Sequence, residues 1–233
     1  MIDVILPYRA ANESRTLGLN VCLHAWDHAT FPVRVLVGGD GAMSAPFNKA
    51  RAVNRLVRSS NADKILLYGS DHLPPSDEKL ADISAALEHF AWVGCFSRHA
   101  TLTQRAVDRI WGVMQEDRWP QRITGADVDA VAPFALGVIA VRRDAWDEIG
   151  GLDERFHGWG GEDLAIRETL VAMYGNHTLN GTVYSTPHPA ADRSHAQRNM
   201  TFVAEYRQAI SDGRLREYLD ETVTERAGQI PAS

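Results

Sequence analysis

Short apolar runs alternate along the chain with segments in which apolar residues recur every three or four positions. The short runs, which are typical of buried strands, are Val4–Leu6, VRVLVGGDG, KILLYGSDH, AWVGCF, LGVIAV and TVYS. Helical spacing occurs in the segments 47–57, 80–90, 107–114 and 164–174, and again from 201 onward, and the mixed segment 12–28 is also expected to contain a helix. Strands separated by helices in this way predict an α/β layer fold with a mostly parallel central sheet flanked by helices.

Capping signals sharpen two of these elements. Ser76 precedes two acids, which is typical of a helix N-terminus, and the pair Gly150-Gly151 is expected to stop a short helix. A chain of 233 residues suits one sizeable domain. We interpret residues 1–200 as that domain and residues 201–233, which are helical in pattern, as a C-terminal extension packed on it.

Composition narrows the classes of function. The formal net charge of −6 argues against nonspecific binding to nucleic acid. The two cysteines, Cys22 and Cys95, lack the spacing of a metal site or disulfide framework, which favours a reduced, cytoplasmic setting. Neither a signal peptide nor a membrane span is predicted, because no apolar run approaches the ~20 residues that a membrane helix needs. Abundant Ala and Arg favour a bacterium or its phage as the source.

Polar residues follow three of the predicted strands, at Tyr8-Arg9, Gly38–Gly41 and Gly69–His72. Open α/β sheets bind ligands at the carboxyl ends of their strands, so we expect these loops to share a site. A carboxylate such as Asp71 can hold a divalent cation that in turn holds a diphosphate, and His72 could add a nitrogen ligand suited to Mn²⁺. The alternative is that Asp71 only caps a turn before the prolines that follow it.

The first two of these loops, within PYRAANES and GGDG, would bracket a nucleotide. Arg9 could contact a phosphate or the base, and Asp40 the base or the ribose. Lys49 and Arg51 begin the next predicted helix and are candidates to point inward. Neither GxxxxGK[ST] nor GxGxxG occurs, so these loops are neither a P-loop nor a dinucleotide fingerprint.

The segment GWGGED, residues 158–163, combines flexible backbone with one large ring and two acids. Its glycines allow a sharp bend and the close approach of a ligand. Trp159 offers a flat apolar face suited to a sugar ring. Glu162 and Asp163 begin a predicted helix, where the helix dipole favours acids. The dipole does not account for glycines around a tryptophan, so we interpret the segment as part of an active site.

A histidine held between two prolines is the third candidate, His188 in YSTPHPAADRSH. Its stiff backbone just after a predicted strand makes it a candidate metal ligand, and His195 is the competing choice. Arg193 and Arg198 could meet phosphate oxygens or lie on an ordinary solvated surface.

Taken in order, these pieces resemble the GT-A fold glycosyltransferases, especially family 2-like enzymes. VILPYRAANES is similar to their first strand and nucleotide loop, and VLVGGDGA to their second strand and its DDGS-type turn. NKARAVNRLVRSSNADKILLYGSDHLPP is similar to the helix and strand that lead to their metal-binding DxD motif. GVIAVRRDAWDEIGGLDERFHGWGGEDLAIR resembles their acceptor-side segment, and its GWGGED core matches the β-1,4-galactosyltransferase type. The resemblance spans residues 2–200.

The resemblance implies a role for each matching residue. Asp71 would be the DxD metal ligand, and His188 would complete a site for Mn²⁺ or Mg²⁺, with His72 and His195 as fallback ligands. Asp163 would be the catalytic base that deprotonates the acceptor hydroxyl. The acceptor-binding residues would be Glu162, Trp159, Gly160 and Gly161. The nucleotide-binding residues would be Pro7, Tyr8, Arg9, Asp40, Arg51 and Ser70.

Two departures from the family pattern concern the metal site. The first Asp of DxD is Gly69 in this sequence, so that one carboxylate would have to serve with His72 or His188. The late histidine often follows Tyr directly, whereas here Tyr184 is followed by Ser185 and His188 comes three residues later. With these departures, the resemblance implies a metal-dependent, inverting hexosyltransferase that moves a sugar from a nucleotide donor, UDP by family, to an acceptor hydroxyl.

Two other interpretations stay open. Gly69 favours a catalytically weak or inactive GT-A protein that only binds sugar or nucleotide. A nucleotidyltransferase shares the layout but would carry a glycine- and lysine-rich signature near the first strand, which PYRAANES lacks. The acceptor stays open among a glycan, a protein, a lipid-linked intermediate and a modified DNA base, and the sequence does not specify the oligomeric state.

Overall fold

The computed structural model describes residues 1–10, 12–41, 46–114, 123–133, 136–158, 160–189 and 193–228. Trp159, which the resemblance places in the acceptor site, lies outside the described residues. No helix of these described ranges is both long and apolar enough to cross a membrane.

A five-stranded sheet lies at the centre of the molecule. Its strands are β1 (Ile2–Pro7), β2 (Val33–Gly38), β3 (Lys64–Leu67), β4 (Trp92–Gly94) and β7 (Ile139–Arg142). They lie in the order β2-β1-β3-β7-β4. β1 is parallel to β2 and β3, whereas β7 is antiparallel to β3 and β4. Four strands therefore share one direction and β7 is reversed, which confirms the predicted α/β class with a mostly parallel sheet.

Helices flank this sheet, and their bounds follow the predicted apolar spacing. They are α1 (Glu13–Trp26), α2 (Lys49–Arg58), α3 (Asp77–His89), α4 (Gln104–Met114), α5 (Arg143–Glu148), α6 (Glu162–Tyr174), α7 (Ala196–Ser211) and α8 (Leu215–Gly228). Ser76 caps α3 as predicted, since its hydroxyl accepts a hydrogen bond from the Lys79 N–H at 3.3 Å. Gly150 and Gly151 follow α5 with φ of 71° and 76°, left-handed values that end the helix.

A second, three-stranded sheet was not predicted in full. It consists of β5 (Arg98–Leu102), β6 (Val128–Ala132) and β8 (Thr182–Ser185) in the order β6-β5-β8. Only β8, the TVYS run, was recognised from the sequence. β6 is mostly exposed and β5 alternates small and polar residues, so neither has the apolar run that marks a buried strand.

Both faces of the central sheet are buried, which explains the unbroken apolar runs of its strands. Ile5 packs in one core cluster, and its neighbours Val4 and Leu6 pack in the other. β3 alternates in the same way, with Leu67 in the first cluster and Leu66 in the second. This two-residue alternation is the ordinary pleat of a strand covered on both sides.

The C-terminal helices belong to the first of these clusters. α7 runs through residue 200, where the sequence analysis placed the start of an extension. The two helices contribute buried side chains to the core, namely Val203, Tyr206, Leu215 and Leu219. Arg155 also ties α8 to the loop before α6, because its guanidinium donates to Asp153 at 2.7 Å and to the Tyr218 hydroxyl at 2.6 Å.

If α8 is an integral part of the core, Leu219→Ala should destabilise the protein by about 2–5 kcal/mol, the usual range for removing a buried leucine side chain. Leu219 is 4% exposed, whereas Met200 on α7 is 46% exposed, so Met200→Ala is the matched control. The control should stay within about 0.5 kcal/mol of the parent. Chemical denaturation measures both, and equal free energies of unfolding for the two variants would contradict the packing of α8 described above.

Candidate active site

The carboxyl ends of β1, β2 and β3 and the amino end of β7 meet at one edge of the central sheet. Leu67 of β3 pairs with Ile139 of β7 in the antiparallel register. Gly69 follows the last residue of β3 by two positions, and Gly137 precedes the first residue of β7 by two positions. Side chains that pack on these two glycines therefore lie toward the same edge of the sheet.

The group that packs on Gly69 contains Asp71, His72 and His188. Asp71 Oδ1 lies 2.9 Å from His72 Nδ1, and Asp71 Oδ2 lies 3.1 Å from His188 Nε2. His188 reaches this place because the turn after β3 is bonded to the end of β8. The Thr186 N–H donates to the Asp71 carbonyl at 2.8 Å. The Leu73 N–H donates to the carbonyl of Tyr184, the third residue of β8, also at 2.8 Å.

The fallback ligands of the sequence analysis are separated by the structure. His72 lies against Asp71, whereas His195 stands at the start of α7 with its ring 6.2 Å from that of His157. His99 of β5 adds a third imidazole near His72, with 5.2 Å between the two ring centroids.

The charges of this group favour an ionised carboxylate. Burial raises the pKa of Asp71, but the charge of His72 and the hydrogen bond from His188 outweigh it and hold that pKa well below its usual range. The same hydrogen bond raises the pKa of His188. A cation that binds Asp71 would therefore compete with protonated imidazole, and metal binding would release protons.

Gly69, the departure from DxD, has a steric explanation. A Cβ at this position would lie 1.6 Å from His72 Nδ1 and 2.6 Å from Asp71 Oδ1. The His72 ring therefore occupies the space into which a side chain at residue 69 would project. His72 Nδ1 is buried and makes no aligned hydrogen bond, although it lies close to the Asp71 carboxylate.

The group that packs on Gly137 contains Asp163, Glu162 and Lys49. Asp163 lies in the first turn of α6, and a Cβ at Gly137 would lie 2.8 Å from its Oδ2. Lys49 Nζ donates to both oxygens of Asp163, at 2.6 and 2.8 Å, and lies 3.3 Å from Glu162 Oε1. From the sequence, Lys49 is a residue that begins a helix and is a candidate to point inward beside the nucleotide loops, whereas Gly137 has no predicted role.

Glu162 faces the interior in this arrangement. Its side chain is 8% exposed, and Oε2 is buried without a hydrogen-bond partner beside a small cavity of about 10 Å³. Burial raises the pKa of Glu162, the charge of Asp163 adds to the rise, and Lys49 opposes it. The expectation that Glu162 holds an acceptor stays a prediction.

Asn199 of α7 fixes the glycine-rich loop before α6. Its side-chain amide donates to the carbonyls of His157 at 2.9 Å and of Gly160 at 2.7 Å, and the residue is 1% exposed. Gly161 has φ of 99°, and a Cβ there would lie 2.7 Å from the Phe156 ring. The carbonyls of His157 and Gly160 are thus held by Asn199, which was not named from the sequence. The available signal was a polar residue within the apolar pattern of α7.

The predicted nucleotide loops lie at the same edge of the sheet. Arg9 donates to both oxygens of Asp40, at 2.6 and 2.7 Å, and the Asn48 N–H donates to Asp40 at 2.9 Å. The Arg9 guanidinium also lies 5.3 Å from the centroid of the Phe47 ring. Asp40 is only 5% exposed, so its part in nucleotide binding, like that of Arg9, stays a prediction.

The other predicted nucleotide residues also flank this edge. Pro7 ends β1 and is buried, and the Tyr8 N–H donates to the Gly38 carbonyl at 2.9 Å. Ser70 lies in the turn after β3. Arg51 is half-exposed on α2, where its Nε donates to a Glu154 carboxylate oxygen at 3.0 Å.

The contact between His72 and the Gly69 position makes a stability prediction. Gly69→Ala should cost about 1–3 kcal/mol, because an added methyl has no space there. In a His72→Ala background the cost should fall by about 0.5 kcal/mol or more, since the two positions share one space. Thermal or chemical unfolding of the four proteins gives this coupling. Gly112→Ala on α4, where a Cβ meets nothing within 4 Å, is the control and should not destabilise.

An equal cost of Gly69→Ala in both backgrounds would show that His72 does not fill this space.

Comparison with protein families matches one segment of the chain. A family model described as the N-terminal domain of galactosyltransferase matches residues 129–179. This segment contains β7, α5, the GWGGED loop and α6. Comparison with curated proteins gave no match.

Several solved structures share the fold at low sequence identity. A Drosophila β1,4-galactosyltransferase 7 mutant with manganese, UDP-Gal and xylobiose has a TM-score of 0.50 and 16% identity, covering 85% of this chain and 74% of that one. Glucosyl-3-phosphoglycerate synthase from Mycobacterium tuberculosis has a TM-score of 0.50 and 13% identity, covering 90% and 79%. Mannosyl-3-phosphoglycerate synthase from Rubrobacter xylanophilus also has 0.50 and 13%, covering 92% and 76%.

The chain covers 63% of the catalytic domain in a further structure of the Drosophila enzyme, which holds xylobiose. The chain therefore has the GT-A fold, and its residues 129–179 are similar to the N-terminal domain of galactosyltransferase.

Proposed function

We propose that the chain is a metal-dependent, inverting glycosyltransferase that moves a sugar from a UDP-sugar to an acceptor hydroxyl. One observation carries the proposal: two groups of ionisable side chains pack beside glycines that flank β3 and β7 at one edge of the central sheet. Asp71 with His188 lies at the end of β3, and Asp163 lies beside the start of β7. This arrangement supports a site in which the first group would hold the metal-bound diphosphate and the second would take the acceptor proton.

Asp71, His188 and His72 are the residues that would hold Mn²⁺ or Mg²⁺. Among the described residues, no group of three or more His, Cys, Asp or Glu side chains is arranged to hold a metal ion as it stands. Asp71 and His188 nevertheless suit the role. The His188 Nδ1 donates to the Pro189 carbonyl at 2.8 Å, which leaves Nε2, the atom beside Asp71, as the ligand nitrogen.

A second imidazole in place of the first DxD carboxylate also suits such a site. Imidazole nitrogen is a ligand that Mn²⁺ accepts more readily than Mg²⁺, which prefers oxygen. When bound, the cation would neutralise charge on the leaving diphosphate. The predicted metal is therefore Mn²⁺ in preference to Mg²⁺.

Asp163 is the proposed catalytic base. The acceptor oxygen would attack the anomeric carbon from the face opposite the diphosphate, so that the new glycosidic bond forms as the bond to phosphate breaks. The acceptor proton would pass to a carboxylate oxygen of Asp163. General base catalysis of this kind contributes about 10²–10⁴-fold to a rate, and attack from the opposite face inverts the configuration.

The comparisons support the donor class and suggest acceptors. The Drosophila relative was solved with UDP-Gal and xylobiose, and the Mycobacterium relative with phosphoglyceric acid. Arg9, Asp40 and the backbone of Tyr8 are the proposed uridine-side groups here. A UDP-hexose is accordingly the donor to test first, with sugar hydroxyls and small phosphorylated hydroxy acids as acceptors.

An inactive sugar- or nucleotide-binding protein is the second candidate. The observation in its favour is that Lys49 occupies both oxygens of the proposed base. Slow hydrolysis of the donor in the absence of acceptor separates the two, because a protein that only binds should release no free sugar.

Asp71→Asn is expected to abolish Mn²⁺-dependent binding of UDP, because the variant loses the negative charge on which the cation depends. Isothermal calorimetry of UDP with and without Mn²⁺ measures the effect. Asp82→Asn, an exposed acid on α3, is the matched control and should bind as the parent does. Unchanged Mn²⁺-dependent affinity in Asp71→Asn would rule out Asp71 as the ligand.

Asp163→Asn is expected to keep donor binding and lose transfer by about 10²-fold or more, because an amide cannot accept the proton. The readouts are UDP release with acceptor present and calorimetric binding of the donor. Near-normal transfer by this variant would show that another group is the base.

A further inference from the structure

Lys49 joins two carboxylates at the proposed active site. It is the first residue of α2, and its ammonium lies 2.6 Å from Asp163 Oδ1, 2.8 Å from Asp163 Oδ2 and 3.3 Å from Glu162 Oε1. The side chains of Lys49 and Asp163 are 27% and 31% exposed, so solvent reaches both, whereas that of Glu162 is nearly enclosed at 8%.

The position of this lysine runs against local helix preference. A cation in the first turn of a helix faces the positive end of the helix dipole, which disfavours it. Burial lowers the pKa of Lys49, but the charges of Asp163 and Glu162 outweigh it and raise that pKa, so the side chain is an ammonium. The two carboxylates therefore account for a cation at a place that α2 alone would not favour.

The two carboxylates compete for this one cation. Asp163 is faced by Lys49 from α2, by Glu162 from α6 and by the uncharged backbone of Gly137 before β7. Two acids with a single ammonium are less costly when only one of them is ionised. Glu162 is the more buried of the two carboxylates, and burial raises its pKa, which favours its protonated form.

Resting on the proposed function, we propose that Lys49 is a positioning residue for the reaction. Its ammonium lies between the two carboxylates and fixes the direction of both Asp163 oxygens. When the acceptor arrives, its hydroxyl takes one of these oxygens, and Lys49 keeps the other while shifting a freed N–H toward Glu162 Oε1. The lysine keeps its three protons throughout, and the acceptor proton goes to Asp163.

Steric confinement supports this division of roles. Gly137 blocks one side of Asp163, since even a Cβ there would lie 2.8 Å from Oδ2. Lys49 blocks another, and the carboxylate is left with a restricted set of directions toward solvent. A base that is misplaced by about 1 Å loses on the order of 10²-fold in rate, so this confinement has a measurable consequence.

The test compares Lys49→Met and Lys49→Arg with Lys64→Met in the transfer reaction. Lys64 is a matched control, because it also pairs with a glutamate, Glu88, but begins β3 at the end remote from Gly69. Lys49→Met should lose about 10²-fold in kcat, with the KM for donor within 2-fold of the parent. Lys49→Arg, which keeps a cation, should recover most of that loss, and Lys64→Met should lose none.

The pH profile separates positioning from a purely structural tether between α2 and α6. In Lys49→Met the pair of carboxylates loses the cation that it shares, so the acidic limb of the kcat profile should move to higher pH. A loss of kcat with an unmoved acidic limb would overturn the proposal. The proposal would also be overturned if Lys49→Arg failed to recover activity although its thermal unfolding showed that the variant is folded.

The outcome also distinguishes this inference from the proposed function. If the parent transfers sugar and Lys49→Met transfers it equally well, only the role of Lys49 is wrong. If the parent neither transfers nor hydrolyses any UDP-sugar, the proposed function is wrong and the role of Lys49 in the reaction is overturned with it.

Discussion

The antiparallel pairing of β3 with β7 is the constraint on which the rest of the site depends. Among the described residues, β7 is the one reversed strand of the central sheet, and its pairing with β3 brings the start of β7 next to the end of β3. Because glycines follow β3 and precede β7 at this edge, acids from the turn after β3 and from α6 pack against backbone that carries no side chain. A parallel strand in this place would have put the start of β7 at the far end of the sheet from Asp71.

Much of this fold could be predicted from the sequence, because most of its central strands are buried on both faces and therefore form short, unbroken apolar runs. Val4–Leu6 and KILL are strands as predicted, and the Ser76 and Gly150-Gly151 signals mark helix ends. The reversed direction of β7 could not be predicted, since an apolar run carries no information about its orientation. β6 was missed because four of its five residues are exposed.

The residues of the candidate site also fall into those that could be predicted from the sequence and those that could not. Asp71, His188 and Asp163 could be named from motifs, because glycine or proline residues that break helices and strands lie close to each of them in the sequence. The roles of Lys49 and Asn199 could not be assigned, since Lys49 lies 114 residues from Asp163 and Asn199 lies 39 residues from Gly160, and both contacts depend on the tertiary fold. Gly69 shows the same limit. By sequence it is a missing carboxylate, whereas in space it makes room for an imidazole.

The two hydrogen bonds from Asn199 have a consequence for the order in which the protein opens. They join α7, far along the chain, to the backbone of the loop before α6. Regions that share such buried contacts tend to open as one cooperative unit. Amide protons of the loop and of the first turns of α7 would then exchange with solvent together, although a loop of glycines by itself would exchange almost freely. The hydrogen bonds that order this loop therefore come from a helix that contributes no side chain to the proposed chemistry.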